Sequence, residues 1–215
     1  MKMKTIYFLF LLFIFYACHT HRKEKQNTIS ESSLKKDFRL IDEVKPLIRD
    51  GDVIFRNGND DVSRVARSMN RKDTSFSHCG LLFRENDTVF VYHAIGGIYN
   101  PNQKLKREPI DSFCNPKENT ALGVYRFSLT TNEEKKLDMV VHNYYKAGLP
   151  FDLYFNFQSD DAMYCSEFVF KSLNQSKNGA LSKYVRLDTI PFGVTTDDIY
   201  LNENCKLIKR QYFIE

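Results

Sequence analysis

At residues 77–83 the chain reads Ser77-His78-Cys79-Gly80-Leu81-Leu82-Phe83, and at residues 164–170 it reads Tyr164-Cys165-Ser166-Glu167-Phe168-Val169-Phe170. The first segment predicts an apolar strand with His78 at its start, and the second predicts an amphipathic helix with Cys165 at its start. A helix N-terminus favours negative charge, and a neighbouring imidazole can accept the proton of a thiol. This pair therefore predicts a thiolate nucleophile, as in a cysteine hydrolase or acyltransferase.

A second histidine lies on the strand that follows. The apolar stretches 78–83 and 88–94 flank Arg84-Glu85-Asn86-Asp87, a run rich in turn-forming residues, and together they predict a β-hairpin. Side chains of a strand alternate between its two faces, so His78 and His93 each share a face with apolar residues of their own strand. If the hairpin register brings the two histidines together, His93 orients His78 as the third member of a catalytic triad.

The rest of the pattern predicts one domain that mixes helices and strands. Apolar residues at helical spacing predict helices over 37–49, 61–70 and 131–147, and in the second of these one face carries Val62, Val65, Ala66 and Met69. Short apolar runs predict strands over 52–55, 121–127 and 206–214. The stretches 96–116 and 184–205 are rich in loop-forming residues.

The N-terminus has the pattern of an export signal. Two lysines precede eleven consecutive apolar or aromatic residues at 6–16, a run too short to span a bilayer. Cys18 follows directly after Ala17, which resembles a bacterial lipoprotein signal in which the cysteine becomes the lipidated first residue. The alternative is an ordinary signal peptide in which Cys18 is incidental, and we favour lipidation because of the position of the cysteine.

This interpretation divides the chain into three parts. Residues 1–17 are a signal peptide, residues 18–35 are a lipidated cysteine with a polar, flexible tether, and residues 36–215 are the folded domain. The predicted location is the bacterial cell envelope, as an exported lipoprotein held to a membrane by its lipid anchor. The two histidines of the tether, His19 and His21, lack supporting ligands, so we predict no metal site there.

The net charge and the spacing of the cysteines argue against a nucleic-acid-binding protein and against a zinc protein. The net charge of +4 is small and evenly spread, which argues against a nucleic-acid partner. The four cysteines that remain after Cys18 match no zinc pattern, so we predict neither a metal nor another cofactor. We consider only one disulfide, between Cys114 and Cys205, and we expect Cys79 to be a small buried residue.

Taken together, these segments resemble the permuted papain-like amidohydrolases of the NlpC type, in particular the YiiX-like branch. The histidine comes before the cysteine, which is the order of the permuted branch, and the resemblance covers about residues 45–175. It is carried by residues 51–55, 77–82, 91–94, 148–152 and 161–169. Cys79 departs from the pattern, because an apolar or small residue is expected beside the catalytic histidine.

The resemblance implies both a fold and a set of site residues. The fold is α+β, with the helix that carries the cysteine packed against an antiparallel sheet. Cys165 is the nucleophile, His78 the base and His93 the third polar residue. Tyr164 and Glu167 are candidates for substrate binding, although Tyr164 is also suited to packing and Glu167 also to capping a surface.

Three functions remain open from the sequence. The first is a peptidase or amidase that acts on cell-wall peptides or related amide bonds, which the export signal favours. The second is a lipid-directed acyltransferase or hydrolase, which the membrane anchor and the phenylalanines of 151–157 favour. The third is a binding domain without activity, in which His78 is a core histidine and Cys165 a buried apolar residue. The joint presence of nucleophile and base argues against the third.

Overall fold

The structure is a computed structural model that describes residues 30–97, 100–188 and 193–214. Its centre is an antiparallel sheet that, among these residues, has six strands: β1 (Val53–Gly58), β2 (His78–Glu85), β3 (Thr88–His93), β4 (Lys106–Pro109), β5 (Asn119–Phe127) and β6 (Cys205–Tyr212). Their order across the sheet is β4-β3-β2-β1-β5-β6, and every neighbouring pair is antiparallel. The predicted α+β class with an antiparallel sheet is therefore confirmed.

Helices cover both faces of this sheet. They are α1 (Glu31–Val44), α2 (Asp61–Ser68), α3 (Ile110–Phe113), α4 (Thr131–Ala147), α5 (Cys165–Ser176) and α6 (Thr196–Tyr200), and two short 3-10 helices span Lys45–Leu47 and Ser182–Tyr184. Within the described ranges, none of the helices is both long and apolar enough to cross a membrane. The signal peptide, Cys18 and the tether histidines lie outside the described residues.

Each face of the sheet has its own hydrophobic core. On one face, α4 and α5 pack over side chains that include Phe55, Cys79, Leu81, Tyr92, Leu137 and Phe168. On the other face, α1 and α3 pack over side chains that include Ile41, Ile54, Leu82, Val91, Phe113 and Leu122. Consecutive residues of β2 thus enter different cores, which explains why this strand is an almost continuous apolar run.

Several predicted segments differ from the structure, among them the loop-rich stretch 184–205, which contains α6. The stretch 96–116, predicted as loop, contains β4 and α3. β4 is an edge strand, and its sequence Lys-Arg-Glu-Pro lacks the apolar alternation of a strand that is buried on one face. Residues 31–35, assigned to the tether, form the first turns of α1, where the hydroxyl of Ser30 accepts a hydrogen bond from the Ser33 N–H.

The helix predicted over 61–70 is present as α2, but its apolar face is not covered. Val62 is 73% exposed and Val65 is 64% exposed. The helix begins at Asp61 because the carboxylate of Asp60 accepts from the Ser63 N–H. The amphipathic pattern therefore predicted the helix correctly but says nothing about its burial, which depends on the surrounding elements.

Candidate active site

Cys165 is the first residue of α5. The N–H groups of a helix's first turn lack acceptors within the helix, and the aligned peptide dipoles favour negative charge at this end. Glu167 fixes the start of the helix, since its Oε2 accepts from the Tyr164 N–H at 3.2 Å. The helix packs against β2, and its buried face contains Phe168, Val169 and Leu173, as the sequence predicted.

His78 is the first residue of β2, at the end of the sheet nearest Cys165. It lies opposite Arg56 of β1 in the strand register. Its Nε2 is 2.8 Å from Nδ1 of His93, so the hairpin brings together the two histidines that the sequence proposed as neighbours. Phe113 packs against both rings, with centroids 5.6 Å from His78 and 4.9 Å from His93.

The thiol of Cys165 contacts both His78 and Cys79. The hydrogen bond from Cys79, together with the charge and hydrogen bond of His78, holds the pKa of Cys165 well below its usual range, although burial opposes this shift. Burial and the contact with Cys165 raise the pKa of Cys79 well above its usual range, so Cys79 stays protonated and donates. Because Nε2 of His78 bonds to His93, Nδ1 remains for Cys165.

A carboxylate that the sequence analysis missed completes the chain of contacts. His93 is fully buried, and its Nε2 lies 2.9 Å from Oε1 of Glu108 on β4. The other carboxylate oxygen of Glu108 is 2.7 Å from Nζ of Lys106. In the sequence, Glu108 is marked only by its position two residues after Lys106, which would place both side chains on one face of a strand. This spacing points to His93 only once β4 is known to be a strand beside β3.

The charge states of His93 and Glu108 follow from burial and hydrogen bonding. Burial lowers the pKa of His93 to about 3, so His93 is neutral near neutral pH. Burial alone would raise the pKa of Glu108, but the hydrogen bonds with His93 and Lys106 lower it to about 2. Glu108 is therefore ionised and can only accept hydrogen bonds.

Tyr164 and Glu167, the two predicted substrate-binding residues, are buried. The ring of Tyr164 packs against Phe155 with centroids 5.1 Å apart, and its hydroxyl accepts from the Val194 N–H at 3.5 Å. Oε1 of Glu167 is 2.8 Å from Nζ of Lys171, and burial raises the pKa of Glu167 to about 7. These contacts hold the start of α5 in place, and substrate contact by either residue stays a prediction.

The cysteines of the described residues are all free. The disulfide considered between Cys114 and Cys205 is therefore wrong. Cys114 is fully buried directly after α3, whereas Cys205 begins β6 at the opposite edge of the sheet. Cys79 is fully buried, as predicted.

A family model matches residues 47–196, and its description is permuted papain-like amidase enzyme, YaeF/YiiX, C92 family. The chain belongs to this family. The match covers more than half of the chain and includes His78, His93, Glu108 and Cys165. It confirms the resemblance stated from the sequence, and it makes the protein an enzyme of the cysteine peptidase and amidase class.

A solved structure supports the same fold. The crystal structure titled metalloprotein yiiX from Escherichia coli O157:H7 superposes with a TM-score of 0.57 at 20% sequence identity, covering 76% of this chain and 98% of that one. Among curated proteins, none is significantly similar to this chain. The description as a metalloprotein belongs to the Escherichia coli protein. Over residues 30–97, 100–188 and 193–214 of the present chain, no group of three or more His, Cys, Asp or Glu side chains is arranged to hold a metal ion.

Proposed function

We propose that this enzyme hydrolyses amide bonds, with Cys165 as nucleophile, His78 as general acid and base, and His93 as the residue that orients His78. The observation that supports this most strongly is the line of contacts from Cys165 through His78 to His93. The substrate class that we propose is a peptide, with the peptides of the cell wall as the leading candidate, because the predicted export signal would bring the enzyme to them.

The first half of the reaction forms an acyl-enzyme. At rest the proton of Cys165 is on Nδ1 of His78, which gives a thiolate and an imidazolium. The sulfur attacks the amide carbonyl carbon and forms a C–S bond, and negative charge moves to the carbonyl oxygen. His78 then gives its Nδ1 proton to the departing nitrogen, the C–N bond breaks, and a thioester remains on Cys165.

The second half releases the acyl group. A water molecule gives a proton to Nδ1 of His78 as its oxygen adds to the thioester carbonyl. The C–S bond breaks, the carboxylic acid leaves, and the thiolate–imidazolium pair is restored. In both halves the backbone N–H of Cys165, which points out of the first turn of α5, stabilises the oxyanion.

The proposal is tested by alkylation of the cysteines with limiting iodoacetamide at mildly acidic pH, followed by mass spectrometry of each cysteine. We expect Cys165 to be labelled selectively, because only a thiol with a lowered pKa is ionised under these conditions. Cys205 is the internal control, since it is only partly buried but its pKa is raised to about 12. His78→Ala should abolish the selective labelling.

A matched variant separates the role of His78 from a general loss of structure. His142 lies on α4, bonds to the hydroxyl of Tyr92, and is not part of the site. His142→Ala should retain selective labelling of Cys165. Equal labelling of Cys165 and Cys205 in the unmodified protein would contradict the proposal and would favour a binding domain without activity.

A lipid-directed reaction is the second candidate, and one feature beside the site favours it. Tyr154 is 91% exposed and Phe155 is 44% exposed, and the Phe155 ring packs on Tyr164, the residue before the nucleophile. Exposed aromatic rings at this position suit an apolar acyl chain. If this candidate is correct, p-nitrophenyl decanoate should acylate Cys165 faster than p-nitrophenyl acetate, an ester with the same leaving group and a short acyl chain.

Two variants test the role of these rings. Phe155→Ala should slow acylation by the decanoyl ester more than acylation by the acetyl ester, because only the long chain reaches the ring. Leu207→Ala is the control, since Leu207 is also exposed (55%) but lies on β6. An equal effect of Phe155→Ala on both esters would exclude an acyl-chain contact and leave the peptide substrate as the better proposal.

We also propose that the enzyme is exported and anchored to a membrane of the cell envelope through a lipid on Cys18. Support comes from the N-terminal sequence alone: a basic start, the apolar run at 6–16 and the cysteine that follows it. In bacterial cells grown with radiolabelled palmitate, the protein should be labelled and should sediment with membranes. Cys18→Ser should remove the label, whereas Cys205→Ser should keep it. An unlabelled unmodified protein would contradict the proposal.

A further inference from the structure

The contacts of His93 determine which of its two ring nitrogens carries the proton. A neutral imidazole carries one N–H, on either Nδ1 or Nε2, and the other nitrogen accepts. Nε2 of His93 lies 2.9 Å from a carboxylate oxygen of Glu108, which can only accept. The N–H must therefore be on Nε2, and Nδ1 of His93 presents a lone pair to His78.

This assignment also fixes the proton of His78. Its Nε2 lies 2.8 Å from the accepting Nδ1 of His93, so Nε2 of His78 must carry hydrogen. In the neutral imidazole this leaves Nδ1 of His78 as the basic nitrogen, the one that takes the proton of Cys165. With the opposite tautomer of His93, Nδ1 of His78 would already be protonated and could not act as the base.

We propose that Glu108 is a positioning residue that selects these tautomers: its carboxylate holds the proton of His93 on Nε2 and thereby keeps Nδ1 of His78 available to Cys165. The inference rests on the proposed function of Cys165 and His78 and extends the chain of contacts by a fourth member. Glu108 does not contact the reacting atoms, and it acts only through His93.

Lys106 determines which way the side-chain amide of a Glu108→Gln variant turns. Its ammonium group is 2.7 Å from the second oxygen of Glu108 and can only donate. In Glu108→Gln the single amide oxygen is held by Lys106, so the NH2 group turns toward Nε2 of His93. That contact requires a lone pair on Nε2 and moves the proton of His93 to Nδ1. A nearly isosteric substitution therefore imposes the wrong tautomer on both histidines.

The test compares the full-length protein with Glu108→Gln, Lys106→Met and the double variant that combines them. We expect Glu108→Gln to slow iodoacetamide labelling of Cys165 by about 10- to 100-fold, the usual effect of losing a residue that orients a site residue. In the double variant the Gln amide is free to turn its oxygen toward His93, and a large part of the lost rate should return. Glu118→Gln, at an exposed glutamate before β5, should label like the unmodified protein.

A second measurement reports the tautomer of His93 directly, first in the unmodified protein and then in Glu108→Gln. The ¹⁵N NMR shifts of the imidazole nitrogens of the unmodified protein should show His93 protonated on Nε2 and unprotonated on Nδ1, and in Glu108→Gln the pattern should reverse. Thermal unfolding of each variant establishes that it is folded.

The possible outcomes separate this inference from the proposed function. If Cys165 is not selectively labelled in the unmodified protein, the proposed function is wrong. If it is labelled, but His93 carries its proton on Nδ1, the role of Glu108 is wrong. The role is also wrong if folded Glu108→Gln labels at the unmodified rate, or if the folded double variant is as slow as Glu108→Gln.

Discussion

Nε2 of His78 lies 2.8 Å from Nδ1 of His93, although the two residues are 15 positions apart in the chain. The hairpin register that pairs Leu81 with Tyr92 brings them together, and the two rings are nearly perpendicular, at 84°. A hydrogen bond of this length needs a donor on one ring and an acceptor on the other. In the tautomer that we propose Glu108 selects, Nδ1 of His93 is the acceptor, and the orientation of His78 then depends on an acceptor at that position.

This dependence predicts different effects for two substitutions of His93. In His93→Asn the side-chain carbonyl oxygen can accept from His78, whereas His93→Leu offers no acceptor. We expect His93→Leu to slow alkylation of Cys165 at mildly acidic pH by about 100-fold, and His93→Asn to slow it much less. His142→Asn, outside the site, is the control. Equal rates for the two His93 variants would show that His93 only fills space.

The hairpin that carries His78 and His93 and the start of α5 at Cys165 were predictable because their signals are local. Turn-forming residues at 84–87 and the alternation of the flanking strands predict a hairpin in which the two histidines are neighbours if the register brings them together. The apolar spacing after Cys165 predicts the start of α5. Neither signal depends on how distant parts of the chain pack, so both could be read from the sequence.

Glu108 and the exposure of α2 were not predictable for the opposite reason. Glu108 reaches His93 only because β4 adds to the edge of the sheet opposite Val91, and an edge strand of four mostly polar residues has no distinctive pattern. The amphipathic spacing of α2 predicts a helix, but whether another element covers Val62 and Val65 depends on non-local packing. Likewise, Cys114 and Cys205 are distant because of the strand order, which cysteine counts do not determine.

A buried ion pair beneath the N-terminal end of β1 should contribute strongly to stability. Asp52 is 1% exposed and accepts two hydrogen bonds from Arg126, at 2.6 and 2.7 Å. Asp52→Asn should lower the free energy of unfolding by about 3 kcal/mol, the lower end for a broken buried pair, because Arg126 is 25% exposed. Urea denaturation measures the change, with Asp87→Asn in an exposed turn as the control. A loss no larger than the control's would contradict the prediction.

The buried neutral His93 should make the folded state sensitive to acid. Its pKa is lowered from 6.5 to about 3 by burial, so between these values the unfolded chain binds a proton that the folded chain does not. Stability must then decrease as the pH falls through this window, by about 3 kcal/mol between pH 7 and pH 4. Urea denaturation across this range should show a shallower decrease for His93→Asn than for the unmodified protein. Parallel curves would exclude His93 as the cause.

The second thiol at the site, Cys79, should set the pH at which Cys165 becomes reactive. Its S–H group donates to the Cys165 thiolate and lowers the pKa of Cys165, so Cys79→Ala should raise that pKa. The profile of iodoacetamide labelling rate against pH should move to higher pH, and the rates should converge at high pH, where Cys165 is fully ionised. Cys79→Ser keeps a hydrogen-bond donor, so its pH profile should move less, and the profile of Cys205→Ala should not move at all. If Ala and Ser shift the profile equally, the hydrogen bond is not the cause, and the shift reflects packing around the sulfur.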